Sequence, residues 1–347
     1  MRMQDFDFDL PAELIAQRPA LRRDDSRLMV VERRTGQISH REFRDFPDLL
    51  SGDELVVLND AKVIPAKAWG KRGQATIEFL FLKEVEPGLW DVLCKPARRV
   101  RPGDEVVFAD DLKGTASLPE GPAAEAGRRL LRFAVLDVLG RLKRVGFAPL
   151  PPYIKRAKAD PADRERDLER YQTVFAVNEG AIAAPTAGLH FTPEILERIR
   201  AKGVETSRVT LRVGLATFQP MRTDRIEDHR MLEESYDVPE PAAAAIDRAK
   251  SEARPVLAVG TTVVRTLESA GRSGRVRPGP GATSLFITPG FEFKIVDRLL
   301  TNFHLPRSTL LLLVSALAGR ELVLDAYREA VKERYRFFSY GDCMLIV

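Results

Sequence analysis

The strongest constraint on the fold is a change of texture partway along the chain. Four short runs of strand-forming residues, 76–82, 89–94, 105–108 and 129–133, follow one another with Gly and Pro between them and no helical period. Closely spaced strands of this kind close into a small barrel or curled sheet. Residues 116–127, rich in Ala, Gly, Pro and Glu, read as an exposed hairpin loop within it. Beyond this stretch the pattern differs. Residues 193–202 place apolar side chains at 195, 196 and 199, a helical spacing, with Gly203 as C-cap. Residues 206–213 read as a strand, 242–253 as a helix and 256–259 as an apolar strand, after which Gly260-Thr261-Thr262 opens another helix. Helices alternating with apolar strands predict an α/β domain around a buried mixed sheet. A chain of 347 residues is also longer than one core usually serves. The reading is therefore a discontinuous α/β domain, residues 1–65 and 155–347, interrupted by a β-barrel-like inserted domain, residues 66–154.

Several classes of function are disfavoured. The apolar run at 310–314 is far shorter than the ~18 residues of a membrane span, so it reads as a buried helix or strand and no membrane partner is expected. The start, Met1-Arg2-Met3-Gln4-Asp5, has no signal-peptide core, which makes the cytoplasm the expected compartment. Cys94 and Cys343 stand alone, and His-Glu-x-x-His is missing, so no metal is expected. Cys94, in a strand-like apolar run, reads as a core residue. The whole chain nets +4, yet residues 62–156 hold 18 basic and 11 acidic residues. The positive excess sits in the inserted segment, where it suits a polyanion, and Lys95, Arg98, Arg99 and Arg101 form its densest cluster.

Two places carry chemistry. Gly260-Thr261-Thr262 follows a buried-type strand and precedes a helix, an arrangement in which helix N–H groups and hydroxyls face a crevice, with Arg265 one turn later able to pair with an anion. Three of the four histidines lie in Gly/Pro-punctuated or charged loops: His190, His229 and His304. A histidine so placed can act as acid, base or hydrogen-bond orienter, but these residues alone name no reaction.

A set of longer motifs goes further: Ala183-Ala184-Pro185-Thr186-Ala187-Gly188-Leu189-His190-Phe191, Thr301-Asn302-Phe303-His304-Leu305-Pro306 and Tyr335-Arg336-Phe337-Phe338-Ser339-Tyr340-Gly341-Asp342. With Pro149-Leu150-Pro151-Pro152-Tyr153-Ile154, Tyr171-Gln172-Thr173-Val174 and Gly260-Thr261-Thr262, six motifs that follow the family's order along the chain, it resembles the S-adenosylmethionine:tRNA ribosyltransferase-isomerase family of queuosine biosynthesis. The likeness runs from Phe8-Asp9-Leu10-Pro11 to Met344-Leu345-Ile346.

The resemblance implies a two-domain enzyme that moves the ribosyl part of S-adenosylmethionine onto 7-aminomethyl-7-deazaguanine at the tRNA wobble position, giving epoxyqueuosine, adenine and methionine. S-adenosylmethionine would be consumed as a substrate, with no further cofactor, and the chain is expected to act as a monomer on a tRNA with a deazaguanine wobble base. The sulfonium acidifies the C5′ hydrogens, so a modest base can begin the reaction. On this reading His190 does acid/base work, and Thr186 hydrogen-bonds the ribose or base. Asn302 and His304 hold adenine or position the ribose. Arg265 with Thr261 receives the methionine carboxylate, Phe218 and Tyr340 stack on a base, and Glu233 or Asp342 offsets the sulfonium charge. One family motif, Leu-His-Val-Gly-x-Gly-Thr-Phe, stands here with Arg212 for its histidine and Ala216 for a glycine, and Leu232 replaces a second histidine. Two readings of that divergence stay open: ribosyl transfer with a retuned neighbourhood, or a paralogue that binds RNA or modifies another acceptor.

Overall fold

The structure, a computed structural model, describes residues 1–120, 127–156, 160–214 and 224–347. Its centre is a nine-stranded mixed sheet. In spatial order the strands are Gly279–Thr283, Glu234–Val238, Glu205–Leu211, Leu55–Asn59, Val256–Val259, Arg298–Asn302, Cys343–Ile346, Arg27–Val31 and Ile38–Glu42. The four strands from Glu205–Leu211 to Arg298–Asn302 run parallel. Cys343–Ile346 then pairs antiparallel to Arg298–Asn302 and parallel to Arg27–Val31.

The apolar strands are buried on both faces because both are covered. Along Leu55–Asn59, Leu55 and Val57 enter one core while Val56 and Leu58 enter another, as the two-residue period of a strand requires. The first core is closed by the helices Glu240–Ser251, Thr261–Ala270, Thr309–Ala318 and Arg320–Lys332. On the opposite face Pro193–Ala201 and the aromatics Phe43, Phe46 and Phe191 pack. The apolar run near residue 310 is a helix, Thr309–Ala318, with Leu311, Leu312, Leu313 and Val314 buried. Among the described residues no helix is long and apolar enough to cross a membrane. Helix Pro193–Ala201 starts where Thr192 Oγ1 accepts from the Ile195 amide at 3.3 Å. Thr192→Ala is expected to cost about 1 kcal/mol, read as a lower denaturation midpoint at unchanged m.

The predicted β-rich stretch is a closed six-stranded barrel built from Lys67–Arg72, Ala75–Glu86, Leu89–Lys95, Glu105–Ala109, Leu112–Ser117 and Arg128–Phe133. It has its own core, with Phe79, Phe81, Val92, Cys94 and Leu131 inside and the helix Val138–Val145 plugging one end through Val138 and Leu142. Gly70 lets the wall close: a Cβ there would stand 2.4 Å from Val106. Leu112–Ser117 and Arg128–Phe133 pair as the expected hairpin, whose connection at 121–126 lies outside the described residues.

Candidate active site

The parallel strands all deliver their carboxyl ends to one edge of the sheet, ending at Leu211, Asn59, Val259 and Asn302. Ligands of α/β sheets bind along such an edge. Register extends it: Cys343 lies opposite Asn302, and Leu28 opposite Cys343, so Asp342 and Ser26 reach the same crest. Across it runs the short turn Thr186–His190. Gly260, at φ +93°, lies beneath that turn, where a side chain would start 3.5 Å from the Ala187 Cβ. The crest thus draws Thr186, His190, Asn302, Thr261 and Asp342 into one neighbourhood.

His190 is buried. Its Nδ1 lies 2.7 Å from Ser26 Oγ, and that hydroxyl donates to the Arg23 carbonyl at 3.3 Å. With the hydroxyl proton directed to that carbonyl, Ser26 can accept from Nδ1–H, the tautomer that leaves Nε2 unprotonated. That Nε2 and the Asn302 Oδ1 are both buried without a hydrogen-bond partner, while Asn302 Nδ2 is anchored on the Phe338 carbonyl at 2.9 Å. Burial drives the His190 pKa down to about 4, against the opposing pull of the Asp342 carboxylate and the Asn302 amide. Two unpaired buried acceptors side by side form a place for a donor that the protein does not supply.

Asp342 is held by the Arg27 and Arg336 amides at 3.0 and 2.8 Å and by the Arg336 guanidinium at 3.2 Å. His304 is buried, with Nε2 2.9 Å from Thr301 Oγ1, its backbone N–H donating to the Tyr327 hydroxyl at 3.0 Å, and its pKa pushed down by burial to about 3. Thr186 is half-buried, and Thr261 is the buried first residue of its helix. Arg265 is also buried, but its guanidinium already pairs with Glu234 and donates to the Thr283 and Leu285 carbonyls. Glu233 is exposed, whereas its neighbour Glu234 points inward and also accepts from the Gly214 amide at 2.8 Å. Tyr340 is buried edge-on to Tyr171, donates to Asp167 at 3.3 Å, and has its pKa raised by that burial. Phe218 and Ala216 lie outside the described residues. Arg212 donates through Nε to the Glu179 carbonyl at 3.2 Å and lies against Gly180, while Leu232 is exposed.

Away from the crest, Lys95, Arg98, Arg99 and Arg101 are all exposed on the barrel. The turn Ala97–Arg99 that carries two of them is fixed from beneath by buried Arg129, which donates to the Ala97 and Val100 carbonyls at 2.8 Å each. Sequence reasoning missed Ser26, Glu234 and Asn59. Asn59 staples two strand ends, exchanging bonds with both backbone groups of Leu211 and donating to Thr262 Oγ1 at 3.1 Å. The inward phase of Glu234 follows from strand alternation once Glu234–Val238 is recognised as a strand. Among the described residues no cluster of three or more His, Cys, Asp or Glu is placed to hold a metal.

Comparison with known proteins adds relatives. The sequence profile of a family described as queuosine biosynthesis protein matches residues 3–346. The S-adenosylmethionine:tRNA ribosyltransferase-isomerases of Syntrophotalea carbinolica and Symbiobacterium thermophilum are 53% and 50% identical to this chain, each alignment covering 100% of both proteins. A crystal structure of the S-adenosylmethionine tRNA ribosyltransferase from Thermotoga maritima superposes with a TM-score of 0.56 at 41% identity, covering 99% of this chain and 100% of that one.

Proposed function

The chain belongs to the queuosine biosynthesis protein family and is an S-adenosylmethionine:tRNA ribosyltransferase-isomerase, and from that premise we infer that its reaction centre is the crest around His190 and Asn302. The observation that carries this reading is the pair of partnerless buried acceptors, His190 Nε2 and Asn302 Oδ1. The reaction needs a base that is free at neutral pH and a group that steadies the cation formed on it. His190 offers the first, since burial keeps its ring neutral. Asn302 offers the second, because its amide oxygen becomes a hydrogen-bond acceptor for Nε2–H once the ring takes a proton, and the Asp342 carboxylate opposes the new charge. Ser26 keeps the ring in the reactive tautomer.

In this mechanism His190 takes a C5′ proton acidified by the sulfonium. Adenine leaves and takes the proton held on His190. The acceptor amine of 7-aminomethyl-7-deazaguanine attacks the resulting electrophile and gives up its proton to solvent, and epoxide closure releases methionine. Thr186, in the turn that lies over Gly260, and Thr261, the residue after that glycine, present hydroxyls to the ribose. The buried Arg265–Glu234 pair braces the crest, which assigns Arg265 to support and leaves the carboxylate of S-adenosylmethionine to backbone N–H groups at the start of Thr261–Ala270. Arg212, engaged with Glu179 and Gly180, holds the adjacent backbone, which supports tolerance of the change from histidine. Residues 66–154 form the inserted unit, the enzyme acts as a monomer in the cytoplasm, and the exposed basic ledge of the barrel meets tRNA phosphates.

The direct test incubates the protein with S-adenosylmethionine and tRNA carrying 7-aminomethyl-7-deazaguanine. Adenine release that requires this tRNA, with a matching mass gain at the wobble base, is the expected result; binding of both substrates without adenine would refute the reading. For the ledge, reversing Arg98 and Arg99 to Glu should weaken tRNA binding and make its dependence on salt shallower by about 2 in log–log slope. An unchanged slope would remove the ledge from the tRNA contact.

A further inference from the structure

A pocket opens beside His190, and its lining contains Arg23, Arg170 and Arg336 but no carboxylate. Arg336 is neutralised by Asp342 just behind it. The other two are not. Arg23 is held only by carbonyls, those of Leu189 at 3.2 Å and Glu169 at 3.1 Å. Arg170 donates to the Leu21 and Ala20 carbonyls at 3.1 and 2.8 Å, and its Nε is buried with no partner. Among the described residues neither guanidinium is ion-paired. Burial and then the like charge of Arg170 lower the proton affinity of Arg23 against a weaker opposing pull from the Glu169 carboxylate, so the two cations feel each other across the pocket. Carbonyls orient a guanidinium without cancelling its charge. Two such groups held side by side are relieved only when an anion joins them.

The two substrates differ in which of them fits. S-adenosylmethionine bears a sulfonium, an ammonium and one carboxylate, a net positive charge that this lining repels. A phosphodiester carries one negative charge on two free oxygens, and its polymer can stay outside while one phosphate enters. We propose that Arg23 and Arg170 bind a backbone phosphate of the RNA substrate flanking the nucleotide that is modified beside His190. The proposal rests on the ribosyltransferase reading and adds to it a docking point on the catalytic domain. Arg23 spans from the Leu189 carbonyl, one residue before His190, to the Glu169 carbonyl, one residue before Arg170, so the seated phosphate lies at the catalytic turn. The barrel ledge would then contact the RNA at a second place.

The test uses the full chain with Arg170→Gln, Arg23→Gln and Arg170→Lys, measuring tRNA affinity across a salt series together with KM for both substrates. With either Gln variant, affinity should fall about tenfold near 0.1 M salt, and the log–log salt slope should become shallower by about 1. KM for tRNA should rise while KM for S-adenosylmethionine stays as in wild type. Arg170→Lys should restore the slope, because the charge returns. An unchanged slope in Arg170→Gln would overturn the proposal, and so would a rise confined to the KM for S-adenosylmethionine, which would mark the pocket as a carboxylate site. Should Arg23→Gln fail to fold, the Arg170 pair decides alone. RNA binding is measured without turnover, so a wild-type protein that released no adenine would defeat the ribosyltransferase reading and leave this result separately legible.

Discussion

His190→Gln lowers tRNA-dependent adenine release by about 10²–10⁴-fold, the range for losing a positioned acid or base, while tRNA affinity stays close to wild type. Glutamine can keep a hydrogen bond to Ser26 but offers no basic nitrogen. Because the ring acts in the chemical step, by taking the C5′ proton, the loss should appear in kcat more than in either KM. Asn302→Ala should act in the same direction with a smaller effect, since it removes the acceptor for Nε2–H and leaves the base. Single-turnover release of adenine at saturating substrates is the measurement. A His190→Gln enzyme within threefold of wild type would dismiss the histidine from the chemistry.

Acidification should destabilise the protein well above the range where carboxylates titrate. His190 and His304 both ionise near 6.5 when unfolded, but in the folded chain at about 4 and about 3. Above 6.5 both rings are neutral in either state, and their full contribution to stability is present. As pH falls below 6.5 the unfolded chain takes up protons that the folded chain refuses, so stability declines by up to about 1.4 kcal/mol per pH unit for each histidine. The decline from these groups ends only when pH passes their folded values. His229 shifts in the same direction, through partial burial. Thermal unfolding between pH 7 and 5 reads this directly, and His304→Gln should flatten the curve by about half. A midpoint that does not move between pH 7 and 5 would contradict the buried neutral state of both rings.

Much of this architecture is legible in the sequence, for reasons that differ by region. The barrel announces itself because its strands are short, local in pairing and punctuated by Gly and Pro. The helix Pro193–Ala201 and the strand Val256–Val259 are legible through periodicity and length. The local hairpin of Arg27–Val31 and Ile38–Glu42, turned at Gly36, is a signal that the sequence reading passed over. The strand Cys343–Ile346 is not legible, since its partner Arg27–Val31 lies at the other end of the chain. The same limit applies to the site. His190, Thr186 and Asn302 stand in recognisable motifs, but Ser26 is a lone serine 164 residues away whose meaning appears only in contact with the ring. Arg23 and Arg170 are two among 54 basic residues, and nothing local separates them from solvated surface charge. Arg265 shows the converse: its position beside the helix start suggested a free anion receptor, and only the strand bearing Glu234 reveals that the charge is already matched.

The position of Cys343–Ile346 has a consequence for when the enzyme becomes an enzyme. This strand is the latest in sequence, yet it lies in the sheet interior, between Arg298–Asn302 and one of the earliest strands, Arg27–Val31. A ribosome making the chain will have released the barrel, free to fold from local contacts, long before the sheet can be joined across this gap. Until then Ser26 and Asp342 cannot stand on either side of His190. A nascent or prematurely stopped chain would therefore display the basic ledge of the barrel without a working catalytic crest, able to touch RNA and unable to alter it.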